Sequence, residues 1–240
     1  MKYILSYGGG VNSSALFFYL LNVGAPLDAV VFADTQEETE RTYDAVRRME
    51  EICKQRGIMF ATVSAGSLYD YYEKKRCVMS VQKRDCTTKF KVAPIRKFLR
   101  QKYGKKETFT MNIGITYDEA TRMKDSNVKY ITNSYPFCDA RISRRGNLDI
   151  LREEGFTAVK SGCKGCIYTK KVEWLKMAIE NPKEFKRHLH LDMNNRGYPK
   201  VTLSPNYPLE DIARAAKGQQ SLSSYANVEP SCDAAGWCFL

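Results

Sequence analysis

Ser6-Tyr7-Gly8-Gly9-Gly10-Val11-Asn12-Ser13-Ser14, directly after the apolar run Tyr3-Ile4-Leu5, decides how this chain is read. A short apolar strand empties into consecutive glycines and then into a helix opened by two serines. Glycine takes φ > 0 without a Cβ penalty and lets the backbone approach a ligand closely. The exposed N–H groups and the positive end of the following helix suit an anion, and a phosphate group best of all. The stretch is not a Walker loop, because no Gly-Lys-Ser/Thr follows. Nor is it the dinucleotide fingerprint, because its glycines are contiguous rather than spaced. The competing reading is an ordinary glycine-rich turn. Hydroxyls on both sides and the strand–loop–helix order favour phosphate.

Around this loop, short apolar runs alternate with amphipathic stretches, which predicts an α/β fold built on a parallel sheet. Strands are expected at Tyr3 to Ser6, Asp28 to Ala33, Ile58 to Val63 and Thr108 to Ile115. Helices are expected at Ser13 to Val23, Thr39 to Arg56, Pro94 to Leu99, Glu173 to Glu180 and Pro182 to Leu191. The remainder, with Pro199, Pro205, Pro208 and Pro230, reads as an irregular wrap or tail. The reading is a nucleotide-binding core over 1–155 and, over 156–240, a helical and irregular cysteine-bearing extension packed on it.

At 240 residues and 43% hydrophobic, the chain can bury one sizeable core. The apolar start is interrupted too early for a signal peptide, and no membrane span is expected. The expectation is a cytoplasmic protein whose eight cysteines are reduced, so metal ligation or redox chemistry outranks structural disulfides. The net charge of +11 is unevenly placed, with a dense basic run between Lys83 and Lys106. That run is either a solvated helix face or a surface for a polyanion such as nucleic acid.

Further motifs carry chemistry. Asp34 and Thr35 end the second strand, and ligands of open α/β sheets lie beyond the carboxyl ends of strands, so both should share a crevice with the glycine loop. In Arg84-Asp85-Cys86-Thr87-Thr88-Lys89-Phe90-Lys91, a hydroxyl pair and two lysines before a helix suit a triphosphate, and the lysines can stabilise charge as a phosphate bond breaks. Gly114 closes a strand where a flat base can approach the backbone, and Glu119 and Arg122 stand at i and i+3, able to pair with each other or to touch ligand. Cys163-Lys164-Gly165-Cys166 is half of a tetrahedral metal site; Cys86, Cys138, Cys232 and Cys238 are the candidates to complete it. The same pair also reads as a redox dithiol or persulfide carrier. Cys53 lies on an apolar helix face and reads as core; His188 and His190, beside Lys186 and Arg187, read as surface.

The chain resembles the PAPS reductase-like family of PP-loop (N-type) ATP pyrophosphatases. Four elements carry the resemblance, in order. They are the glycine loop, the Cys86-Thr87 element running to Pro94, the Gly114-Ile115 to Arg122 element, and Ser161-Gly162-Cys163 to Cys166 with Trp174 downstream. Two departures stand out: Asn12 replaces the family's usual Asp, and Ile167 replaces a proline. The resemblance implies a Rossmann-like, adenine nucleotide alpha hydrolase-like fold. It implies nucleotide binding by Ser6, Gly8, Gly9, Gly10, Asn12, Ser13, Ser14, Asp34, Thr35, Gly114, Glu119 and Arg122. It makes Lys89, Lys91, Asp34 and Cys86 the catalytic candidates, with ATP and Mg2+ as cofactors. Cys163, Cys166, Cys86, Cys232 and Cys238 become candidate ligands of a [4Fe-4S] cluster or zinc.

Three functions then compete. An ATP pyrophosphatase would activate a substrate for sulfur transfer, on nucleic acid (tRNA or DNA) and beside a cysteine desulfurase or other sulfur donor. The basic surface and clustered cysteines favour this first. A sulfonucleotide (PAPS/APS) reductase is disfavoured because the chain lacks a Glu-Cys-Gly-x-His tail and an adjacent Cys-Cys pair. A non-catalytic nucleotide-binding module is kept open by Asn12.

Overall fold

The computed structural model describes residues 1–79, 84–195, 202–204 and 207–217. Five parallel strands form one sheet in the order β3-β2-β1-β4-β5. They are β1 (Lys2–Tyr7), β2 (Ala29–Asp34), β3 (Met59–Ser64), β4 (Phe109–Asn112) and β5 (Ile131–Ser134). The chain starts in the middle strand, builds outward through β2 and β3, then crosses back to place β4 on the other side of β1. Where such an order reverses, the loops leaving the two central strands diverge and open a crevice. The loop leaving β1 at that reversal is the glycine stretch.

Alternation along the strands feeds two cores. Leu5 and Val30 point into a cluster with Phe17, Phe18 and Met49, supplied by α1 (Val11–Asn22) and α2 (Glu40–Gln55). Their neighbours Ile4 and Val31 point the other way, onto Ile95 and Leu99 of α5 (Ala93–Tyr103). This is the period of two that a strand buried on both faces must obey. Helix α1 is apolar nearly all round because the sheet and α7 (Arg144–Glu153) cover it from both sides. Thr39 caps α2 by accepting from the Thr42 amide.

A third cluster lies beside the carboxyl ends of the strands. It joins Leu68, Tyr69 and Tyr72 of α3 (Leu68–Lys75) to Trp174 and Leu175 of α8 (Lys171–Glu180), Phe185 and Leu191 of α9 (Pro182–Met193), and Leu209 and Ile212 of α10 (Leu209–Lys217). Between α3 and α5 the described residues make a short helix, α4 (Asp85–Thr87), and a π turn over Thr88–Val92. A second short helix, α6 (Pro136–Asp139), follows β5.

Helix α10 falls in the stretch that sequence reading assigned to an irregular wrap. Leu209, Ile212, Ala213 and Ala216 have helical spacing and pack on the third cluster, a pattern masked by the surrounding prolines. His188 also departs from expectation. It is buried beneath Trp174 and Tyr69 rather than on the surface, whereas His190 is exposed as expected. Lys186 is exposed on the outer face of α9, while Arg187 reaches Glu37 and the His188 imidazole turns inward. Strand β4 is shorter than expected, because the Ile115 amide turns back onto the Ile113 carbonyl. Cys53 is fully buried, as its helix face required. Among the described residues no helix is long and apolar enough to cross a membrane.

Candidate nucleotide and thiol site

The glycine loop is held from within by its own hydroxyls. The Gly8 amide donates to Ser13 Oγ at 3.1 Å, and Ser13 Oγ donates to the Gly10 carbonyl at 3.2 Å. Ser14 Oγ lies 3.0 Å from the Tyr7 hydroxyl, which donates onward to the Ala45 carbonyl. Gly9 sits at φ +69°, the left-handed region that favours glycine. Gly10 caps α1 with no side-chain bond, which leaves the first amides of the helix for a ligand. Ser6 is the penultimate residue of β1, paired with Val31 of β2.

Asn12 locks this loop to the other half of the sheet. Its Nδ2 donates to Glu119 Oε2 at 3.0 Å, while its Oδ1 accepts from Arg144 at 3.0 Å and from Asn147 Nδ2 at 3.1 Å. Glu119 in turn holds Arg122 at 2.8 Å and accepts from Thr116 Oγ1. Glu119 and Arg122 therefore pair with each other, and the carboxylate is spent on the loop. Gly114 also serves the loop. A Cβ there would come within 2.9 Å of the Asn12 carbonyl carbon and oxygen, so the close approach it permits is backbone on backbone.

Beside the loop lies a pocket lined by Thr35, Arg84, Cys86, Lys91, Cys163 and Cys166, among others. The structure thus brings together Thr35, Cys86, Lys91 and both cysteines of the Cys-x-x-Cys element. Glu38, wholly buried, organises its floor. Its Oε1 accepts from Thr35 Oγ1 at 3.1 Å and lies 3.3 Å from Lys91 Nζ and 3.6 Å from Cys163 Sγ. A one-residue β-bridge pairs Glu38 with Cys163, and the Lys164 amide donates to the Glu37 carbonyl. Glu37 accepts both guanidinium nitrogens of Arg187, at 2.6 and 2.9 Å, fastening α9 to the end of β2.

Other sequence candidates are not part of the pocket lining. Lys89 turns away to Asp85 and the Tyr71 hydroxyl on the surface, because the π turn sends Lys91 inward in its place. Asp34 stands at the strand end with Oδ1 engaged by the Gln36 amide and the Tyr43 hydroxyl. Cys138 points to the carbonyls of Ile115 and Thr116. Cys232 and Cys238 lie outside the described residues.

A family model for the phosphoadenosine phosphosulfate reductase domain matches residues 2–134. The chain belongs to this family. The match spans all five strands and includes Asn12, Cys86 and Lys91, and it stops before Cys163. Among solved structures, the crystal structure of phosphoadenylyl-sulfate (PAPS) reductase from Candida auris in a phosphate complex is similar. It is 13% identical, with 66% of this chain and 75% of that chain covered and a TM-score of 0.48. A search of curated proteins finds no match.

For this member of the PAPS reductase domain family, sequence reasoning missed Glu38, Arg84, Arg144, Asn147 and Ser161 as parts of the site. Arg84 and Ser161 stand at the heads of the Cys86 and Cys163 elements, and Glu38 follows closely on Asp34-Thr35, so these three had a local signal; Arg144 and Asn147 are joined to the loop solely by the fold. Among the described residues, the trio of potential metal-ligand atoms that stand close together is Glu37, Glu184 and His188, and Arg187 already occupies it as the cation. The thiols of Cys86, Cys163 and Cys166 share a pocket but form no such close trio.

Burial and the Glu38 carboxylate push the Cys163 thiol up to about 12, and burial also raises Cys86. A raised thiol is protonated and unreactive at neutral pH. Alkylation of Cys163 by iodoacetamide, followed by peptide mass spectrometry, is therefore expected to keep accelerating above pH 10. A rate that levels off near pH 9 would contradict this environment.

Asn12→Asp is expected to cost about 1–3 kcal/mol, because it replaces the donor facing Glu119 with a like charge. Urea unfolding measures it, and Glu119→Gln in the same chain should recover most of the loss. An Asn12→Asp protein as stable as the parent would contradict the described hydrogen bonds.

Proposed function

We propose that this protein is an ATP pyrophosphatase of sulfur transfer. ATP binds at the glycine loop, an acceptor oxygen attacks the α-phosphorus, and pyrophosphate leaves. Sulfur then displaces AMP from the activated acceptor. The observation that carries the reading is the thiol pocket, with Cys86, Cys163 and Cys166 gathered beside a phosphate-type loop and with Arg84 and Lys91 on the same wall. Cations there favour the charge that builds on the departing pyrophosphate.

Asp34, at the end of β2, would supply the carboxylate for magnesium. It pairs with no Lys or Arg among the described residues, unlike Glu38, and Asn12 spends its amide inside the protein. Magnesium, when bound, neutralises phosphate charge. A [4Fe-4S] cluster or zinc would need the pocket thiols drawn closer and a further donor, so no step is assigned to either. The thiols instead act as carriers. A desulfurase-type donor leaves a persulfide on one cysteine, whose outer sulfur bonds to the activated carbon as AMP departs. A second thiol then attacks the remaining S–S bond. It releases the thiolated product and leaves a protein disulfide for an external dithiol to reduce. The basic surface supports a nucleic acid acceptor.

A second reading, sulfonucleotide reduction, is favoured by the family itself. There a thiol takes the sulfo group from the nucleotide, and a second thiol releases sulfite with formation of a disulfide.

The two separate on their products. With ATP, magnesium, a persulfide donor and tRNA or DNA, the protein is expected to release pyrophosphate and AMP, and Cys163→Ser should abolish sulfur incorporation. Sulfite released from adenosine phosphosulfate or its 3′-phosphorylated form, with no pyrophosphate from ATP, would overturn the first reading in favour of the second.

A further inference from the structure

Ser13 and Ser14, the hydroxyls of the glycine stretch, are both spent inside the protein. Ser13 Oγ bridges Gly8 and Gly10, and Ser14 Oγ is bonded to Tyr7 in the core. A different hydroxyl faces the loop. Ser161 is 3% exposed, and its Oγ has no hydrogen-bond partner among the described residues. A Cβ placed on Gly10 would meet that Oγ at 2.6 Å and the Ser161 amide nitrogen at 3.1 Å. Ser161 therefore lies against the residue that caps α1, at the end of the helix where an anion is favoured. It also lines the thiol pocket, two residues before Cys163.

A buried hydroxyl without a partner is unusual, since nearly all such groups are satisfied. Other buried groups among the described residues are unsatisfied too, including Trp174 Nε1 and Ser204 Oγ, but those belong to the third hydrophobic cluster or its edge. Asn147 Oδ1, beside Asn12, and Glu38 Oε2, beneath the thiol pocket, are unsatisfied as well, but both are acceptors; Ser161 carries the unsatisfied hydroxyl set against Gly10. As a hydroxyl it can donate to an anionic oxygen, and the three atoms nearest a Cβ at Gly10 all belong to Ser161.

We propose that Ser161 donates a hydrogen bond to a phosphate oxygen of the nucleotide bound at the glycine loop. This rests on the reading that the loop binds a nucleotide. It adds that the hydroxyl completing the phosphate cradle comes from the cysteine-bearing segment, not from the loop's own serines. The consequence is mechanical. Occupation of the cradle fixes the segment that carries Cys163, so nucleotide binding and thiol placement are one event.

The test is calorimetric titration of the full chain with ATP, inorganic pyrophosphate and adenosine, for the parent, Ser161→Ala and Ser161→Thr, with thermal melting of each. Ser161→Ala is expected to weaken ATP and pyrophosphate roughly 10- to 100-fold, the size of a hydrogen bond to a charged group. Adenosine affinity should not change, and Ser161→Thr should regain part of the loss. The ligand-free melting temperature of Ser161→Ala should equal or exceed that of the parent, because an unsatisfied hydroxyl has been removed. A purely structural serine would instead lower it. Equal ATP affinity in parent and Ser161→Ala overturns the assignment of Ser161 alone. A parent protein that binds neither ATP nor a sulfonucleotide overturns the nucleotide reading beneath it.

Discussion

The side-chain amide of Asn12 is the point on which the site depends. It sits in the first turn of α1 and ties that turn to two parts of the chain far away in sequence: Glu119 after β4, and Arg144 and Asn147 on α7. An amide alone can do this, because it offers a donor to the carboxylate and an acceptor to the two donors at once. A carboxylate in its place would satisfy Arg144 but oppose Glu119. The departure from the family's usual Asp is thus matched by its surroundings, which use a polar clamp to hold the two sides of the crevice at the strand reversal.

On the opposite side of the loop, Glu37 and Glu38 do the corresponding work. Glu38 is buried against Lys91, Thr35 and Cys163, and Glu37 is gripped by Arg187. Burying carboxylates is costly unless they are paired and hydrogen-bonded. Here the pairing ties the end of β2, the π turn and the cysteine loop into one wall. Cys163 is consequently buried beside Glu38, a setting that keeps its thiol protonated until its surroundings change. A nucleotide arriving with its own phosphates and metal would alter that balance directly.

Much of this was legible in the sequence, for identifiable reasons. The strand–glycine–helix order and the doubly buried strands Ile4-Leu5 and Val30-Val31 leave strong periodic signals, so the parallel sheet could be read from residues alone. The Cys86 and Cys163 elements announced themselves by spacing. Other features had no local signature. Whether Lys89 or Lys91 points inward is decided by a π turn, which adds a residue to one helical turn and leaves no compositional trace. Arg144 and Asn147 matter only because α7 packs on α1. His188 looked like surface because its sequence neighbours are basic, yet its imidazole packs inward on Trp174 and Tyr69, and Arg187 itself turns in to Glu37. The histidine, the clamp and the approach of Ser161 to Gly10 are all products of tertiary contact, which no single stretch of sequence encodes.

The central claim is that nucleotide phosphates bind at the glycine loop between the Asn12 clamp and the thiol pocket. A crystal structure with α,β-methylene ATP and magnesium tests it most directly, because the analogue resists cleavage at the bond in question. The account requires the phosphates at the loop amides of Gly8 to Gly10 and the first turn of α1, within hydrogen-bond distance of Ser161, with Cys86 and Cys163 beside the α-phosphate. A nucleotide bound with its phosphates away from that loop, or with the cysteine segment turned out of the pocket, would contradict it.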